Sequence, residues 1–253
     1  MSDRPFGVGL VHGVVATDRQ APLPRIADAF DKAEVIDAAA DPHALLISEV
    51  PLPLQGEIEA GTLFSDPARI SALAMAHHRI LAALAATTDV VPIRLGTLVS
   101  GLAGARDLMT REARRFADRL AAIHNSVEFG IRMLPARAPV PAIAKLNAAA
   151  SGRDYLHARS QQRARGRPAS VDMALGELAR RAVATCARRP SPRAGQPPAI
   201  VDAAFLVDRG KLAAFTKCAG RIERQIAADG LALDVFGPLP AYSFVERDAE
   251  KPE

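Results

Sequence analysis

Aromatic side chains are scarce in this chain: they make up only 4% of residues, with no Trp and two Tyr. Recognition that stacks nucleobases or sugars on aromatic platforms has few residues to use, which argues against a single-strand nucleic-acid binder or a carbohydrate binder. Cysteine is nearly absent too. Cys186 and Cys218 stand far apart and belong to no CxxC pattern, so neither a disulfide framework nor a structural zinc site is indicated, and a reducing cytosol fits. No apolar run approaches the length of a bilayer crossing, because the Ala-rich stretch near residue 75 is interrupted by His77, His78 and Arg79. The N-terminus is polar through Arg4 and lacks the basic, apolar and small-residue segments of an export signal, so a cytoplasmic location off the membrane is expected.

Signatures of turnover are missing as well. No GxSxG elbow presents a serine beside a base, and no GxxxxGK[ST] loop is present to cradle a nucleotide. Gly7-x-Gly9-x-x-x-Gly13 has glycines at near-dinucleotide spacing, but they lie inside a strand pattern with no helix N-terminus following at once. Strand glycines that allow close backbone approach are the simpler reading. His77 and His78 are adjacent and so point to different helix faces; neither has a His or Glu at the offset a zinc helix needs. His77 sits at the edge of an apolar stripe, where a partly buried, hydrogen-bonded histidine is favoured over a metal ligand. The expectation is a protein without catalytic residues, cofactor or metal.

What is present is an ordinary globular composition, 49% hydrophobic and 24% charged over 253 residues, a length that favours two domains. The net charge of +4 is unevenly placed. Residues 151–195 hold ten Arg and no Lys against Asp154, Asp172 and Glu177, which is +7, so the other 22 basic and 25 acidic residues sum to −3. Arg159, Arg163, Arg165 and Arg167 in that segment are the one nucleic-acid feature. A solvated helix face or an acidic protein partner explains them without phosphate contacts, and nucleic-acid binding is kept as the alternative function.

Hydrophobic periodicity organises the rest. Val- and Gly-rich Phe6–Val15 predicts a strand, as do His43–Val50 and, more weakly, Lys32–Ala38. Asp66 as N-cap with Pro67 at the first helical position starts a helix running to about Ala86. Asp89–Val99 reads as a strand and Ala105–Ile123 as an amphipathic helix with Met109, Phe116 and Leu120 on its stripe. Glu128–Leu134 is again a strand. An Ala/Arg region offers helices at about 141–150, 152–165 and 170–188, followed by a Pro-rich connector, a strand at Ala199–Val207, a helix at Lys211–Ala228 and a strand at Leu231–Phe236. From Asp89 the order is β-α-β, an insertion, then β-α-β. The fold class expected is α+β: a small N-terminal α+β domain over 1–88, then a modified ferredoxin-like domain over 89–253. The latter carries an inserted helical extension at about 139–195 and an extended C-terminal tail at 237–253, which would tie the two domains together.

Three segments resemble one family. His77-His-Arg-Ile-Leu81 leading into Val90-Val-Pro-Ile-Arg-Leu-Gly-Thr97 is similar to a histidine-bearing helix followed by a "VVPLRFGT" strand. Glu128-Phe-Gly-Ile-Arg132 resembles "EWGVK", and Ser151-Gly-Arg-Asp-Tyr-Leu156 resembles a "GxxYL" helix start. Phe205-Leu-Val-Asp208 and Gly237-Pro-Leu-Pro-Ala-Tyr-Ser-Phe244 are similar to "YLV" and the closing "GPWPPYSF". Together, in this order, they resemble the gas vesicle protein family GvpL/GvpF. Leu95, Phe129, Leu239 and Ala241 depart from that pattern but keep apolar or small residues at packing positions.

The resemblance implies an accessory or minor structural protein of gas vesicles, the gas-filled, protein-shelled flotation compartments of some bacteria and archaea. Its implied partners are the small hydrophobic shell protein and other gas vesicle accessory proteins, and its implied location is the cytoplasm and the vesicle. The motif residues then stand as structural or partner-contact candidates: His77, Pro92, Arg94, Gly96, Thr97, Glu128, Gly130, Tyr155, Gly237, Pro238, Pro240, Tyr242 and Phe244.

Overall fold

The computed structural model describes residues 6–16, 33–40, 43–59, 61–62, 64–136, 168–190 and 197–245. The chain divides into two compact units, Met1–Val127 with Pro238–Glu253, and Glu128–Gly237. The sequence reading places its boundary at 88/89 instead.

The first unit is built on β1 (Val8–Ala16), β2 (Ala33–Ala40) and β3 (His43–Glu49), followed by the short helix α1 (Leu52–Glu59) and the long α2 (Pro67–Ala85). Strands β4 (Val90–Pro92) and β5 (Leu98–Ser100) and helix α3 (Gly101–Ala122) complete it. The strands lie in the order β2-β3-β1-β4, with β5 also paired to β1, and all these pairs are antiparallel. Helix α2 starts as its cap predicts: the Asp66 carboxylate accepts from the Ala68 N–H at 3.0 Å and Pro67 opens the helix. Its residues Ile80, Leu81 and Leu84 join Val15, Ala44, Leu46 and Val90 in one cluster. Val11, Val14, Leu45 and Ile47, which alternate to the other side of the strands, are buried as well. Helix α3 lies against β1, β2 and β3. Both faces of the central strand are therefore dry.

Asp89–Val99 departs from the single strand expected at the start of a second-domain sheet. It forms two short strands, both paired to β1 of the first sheet. Pro92 has no N–H for the ladder, and beyond it both the N–H and the hydroxyl of Thr97 bond back to the Arg94 carbonyl, at 3.2 and 2.8 Å. Gly96, at φ 92°, supplies the left-handed residue that this turn needs.

The second unit contains most of β6 (Ser126–Pro135), α4 (Ala169–Ala179), β7 (Ala184–Ala187), β8 (Val201–Asp208), α5 (Leu212–Ala227) and most of β9 (Leu231–Leu239). Its sheet runs β7-β8-β6-β9. Phe129 of β6 and Phe205 of β8 meet Phe215 of α5, with ring centroids 5.1 and 5.8 Å apart. The helix expected over 170–188 stops at Ala179, and Ala184–Ala187 pairs with β8 as a strand. Val183 and Thr185 are β-branched and suit a strand. So β6-α4-β7 replaces the β-α-β expected over 89–134. The helices expected at 141–150 and 152–165, with Arg159, Arg163, Arg165 and Arg167, lie outside the described residues.

The tail is not simply extended. Residues 237–239 continue β9, and Tyr242–Val245 form one helical turn, α6, assigned to the first unit.

Candidate functional site

The bulge in β1 organises a buried polar cluster in the first unit. Val11 pairs with Ile47 and Gly13 with Leu46, so one extra residue, His12, enters β1 there. The partner strand opens to match it: the Ile93 N–H donates to the His12 carbonyl at 2.9 Å, and the Val11 N–H donates to the Thr97 carbonyl at 2.9 Å. A methyl at Gly13 would stand 2.9 Å from the Val91 carbonyl, so glycine is needed beside the bulge.

The bulge sends His12 toward α2. Its Nε2 is 2.7 Å from Ser48 Oγ of β3, and its Nδ1 is 2.9 Å from His77 Nδ1. The three are buried, with exposures of 1, 0 and 6% for His12, Ser48 and His77. Burial, then the adjacent His77, lowers the His12 pKa from 6.5 to about 3. His77 is lowered too, first by burial; a hydrogen bond to the Ile93 backbone opposes the shift, and neighbouring His78 adds to it. Both rings are therefore neutral at pH 7, and each has one donor and one acceptor nitrogen. If His77 donates to the Ile93 carbonyl, its Nδ1 must accept. His12 Nδ1 then donates, His12 Nε2 accepts, and Ser48 O–H donates to it. One direction of donation satisfies the whole chain.

Ser48, His12 and His77 have the distances of a nucleophile, base and orienting group, but not the electrostatics. An imidazole that stays neutral down to about pH 3 is too weak a base to take a hydroxyl proton at neutral pH. The third member is another neutral ring, which lacks the negative charge that a carboxylate would supply to stabilise an imidazolium. Burial also leaves a substrate carbonyl no route to Ser48. The arrangement pins the bulge to α2. His12 and Ser48 are absent from the sequence reading; a histidine inside a Val/Gly strand next to a glycine was the available signal.

A second polar group lies on the second unit's sheet. Glu128 is fully buried and pairs with Arg188, which also approaches Asp202 at 3.9 Å. Arg132, 1% exposed, lies 3.4 Å from Asp202. Gly130 makes room here, since a methyl would come within 3.2 Å of the Arg188 guanidinium. At Gly237, φ is 143° and a methyl would stand 2.9 Å from the Glu128 carbonyl. The sequence reading missed Arg188 and Asp202 as members of this group.

The predicted residues thus fall into separate places. His77, Pro92 and Thr97 meet around the bulge, with Pro92 opposite Gly13, while Gly96 faces Phe64 and Arg94 is exposed. Glu128, Gly130 and Gly237 meet on the second sheet. Pro238 is exposed, Pro240 is buried and Phe244 is half-buried. The Tyr242 hydroxyl lies 3.1 Å from His78 Nδ1, and its ring packs against the α2 cluster. Tyr155 lies outside the described residues. Among the described residues, no group of three or more His, Cys, Asp or Glu could hold a metal ion.

Comparison with known proteins adds the decisive observation: the family described as "Gas vesicle synthesis protein GvpL/GvpF" matches residues 10–246. The chain belongs to the GvpL/GvpF family. Among its relatives, gas vesicle protein L of Streptomyces sp. (strain CB03234) is 29% identical over 206 residues, covering 76% of this chain and 73% of that one. Gas vesicle protein F of the same strain is 29% identical over 188 residues, covering 68% and 76%. The crystal structure of GvpF from Microcystis aeruginosa has the same fold, with a TM-score of 0.67 at 15% identity over 95% of this chain and 100% of that one. GvpF from Anabaena sp. PCC7120 gives 0.66 at 15% identity over 98% and 99%. Membership in GvpL/GvpF assigns the chain a role in gas vesicle formation, and the family is not a known enzyme class. Among the described residues, no helix is long and apolar enough to cross a membrane.

Proposed function

We propose that this protein is an assembly factor that binds the hydrophobic shell protein while the vesicle wall grows, acting with other gas vesicle accessory proteins in the cytoplasm and at the vesicle. The observation that carries this is the family match over residues 10–246. The physical motive is general: an apolar subunit aggregates unless its surface is covered until it docks. Both polar clusters support a binding role, since they are buried and pin backbone. Of the three exposed motif residues among the described residues, Arg94 and Pro238 are the partner-contact candidates; Gly237 is set by backbone shape, and the half-buried and buried ones are structural. In the same reading the second unit is a modified ferredoxin-like fold. The order β-α-β-β-α-β along the chain, with strands arranged β7-β8-β6-β9, supports it. Nothing favours nucleic-acid binding.

The test is co-purification with the shell protein from cells making vesicles, together with deletion of the gene. Recovery of the shell protein and loss of vesicles are expected. A pulldown that recovers none, with normal vesicles after deletion, ends the reading.

A further inference from the structure

Strand β7 ends the second sheet, with β8 as its one neighbour among the described residues. The Arg188 N–H donates to the Asp202 carbonyl at 2.9 Å, and Cys186 pairs with Ala204. In an antiparallel ladder this sets the phase: Ala184, Cys186 and Arg188 turn their backbone groups to β8, so Thr185 and Ala187 turn theirs away. Those outward residues are exposed, as is Arg189 after them; Val183 before them exposes its side chain, at 61%, while its N–H donates to the Leu206 carbonyl of β8 at 2.7 Å. Among the described residues, the outward backbone donors and acceptors of Thr185 and Ala187 therefore have no strand beside them.

Its charge is one-sided. Arg180 and Arg181 precede the strand, Arg188 and Arg189 follow it, and no acidic residue lies between 178 and 190. Arg181 and Arg188 are engaged with Glu177 and with Glu128 and Asp202, whereas Arg180 and Arg189 are exposed at the two ends. Antiparallel pairing of this edge with a second copy would set arginine pairs against each other at both ends, and like charges placed opposite are unfavourable. The same charges attract a strand with carboxylates at its ends.

We infer that β7 is a docking edge for an extended protein segment with small or apolar residues at its centre and acidic residues at both ends, which adds to the sheet as a further strand. The Arg-rich stretch of the sequence then includes a recognition element for an acidic partner.

The probe is the peptide Glu-Asp-Val-Thr-Val-Thr-Asp-Glu, labelled for fluorescence anisotropy with the full chain, beside a Lys-flanked peptide with the same core. The acidic peptide is expected to bind at least tenfold tighter. Thr185→Pro removes an outward N–H without touching the β8 ladder, and it should weaken binding at least tenfold while β8 pairing persists by circular dichroism. Should that variant misfold, Arg180→Glu with Arg189→Glu, which leaves the strand intact, decides the matter by reversing the preference between the two peptides. Equal binding of both peptides, no binding of either, or an unchanged preference in the charge-reversed variant overturns the inference. So does an oligonucleotide that binds tighter than the acidic peptide and ignores Thr185→Pro, because the edge would then be a phosphate-attracting patch. The peptide measurement is separate from the shell-protein pulldown, so failure of one leaves the other standing.

Discussion

Lowering the pH from 7 to 5 should loosen the first unit through His12. In the folded chain this ring stays neutral down to about pH 3, while in the unfolded chain it takes up a proton below its ordinary value of 6.5. Between those values the unfolded state binds more protons, so stability falls as pH falls; above pH 6.5 both states are neutral and the effect vanishes. Each pH unit inside the window is worth about 1.4 kcal/mol, so at pH 5 His12 alone removes about 2 kcal/mol. His77, shifted the same way, adds to the loss. For a chain of this length that is a drop in Tm of about 4–8 °C, read by circular dichroism at fixed ionic strength. Ordinary carboxylates are still ionised at pH 5, so the window isolates the histidines. His12→Asn should lower stability at pH 7 and flatten the slope between pH 7 and 5. A Tm that holds or rises toward pH 5, or a slope unchanged in the variant, would refute the placement of a neutral His12 inside the core.

Three further outcomes are expected. Gly237→Ala, which puts a methyl 2.9 Å from the Glu128 carbonyl at φ 143°, should cost about 1–3 kcal/mol in urea unfolding. Arg188→Met removes a cation from the fully buried Glu128 and should cost about 3 kcal/mol, whereas the same change at exposed Arg114 should be near neutral. Tyr242→Phe removes the contact with His78 and should cost about 1 kcal/mol in thermal melts, with Tyr242→Ala costing more because the ring leaves the α2 cluster.

The helices were legible where an apolar stripe faces one side. The cap and stripe of α2, the Met109-Phe116-Leu120 face of α3 and the Phe215-Ile222-Ile226 face of α5 all mark helices in the sequence, and they are found within a few residues of the ends expected. Strand β7 was hidden because the Ala and Arg residues in and around it are good helix formers and mask the β-branched Val183 and Thr185, so pairing with β8 settles the strand. The alternating residues after Asp89 announce strands but not their sheet. Pairing with β1, some eighty residues earlier, is a long-range choice that a period of two does not encode. The partners of His12 were hidden for the same reason, since they lie 36 and 65 residues away, and only the histidine beside a strand glycine hinted at the cluster. The family resemblance carried what periodicity could not, because matched motifs preserve the outcome of such long-range choices.

The closing turn at Tyr242–Val245 belongs to the unit whose other elements end near residue 127. During synthesis that unit must therefore wait for its last piece while the whole of 128–237 emerges from the ribosome. At about 5–20 residues per second this delay is on the order of ten seconds, during which the docking place of Tyr242 against α2 is bare. A nascent chain stalled before residue 242 would expose an apolar patch that the finished protein hides, and chaperones should recognise that stalled form in preference to the completed one.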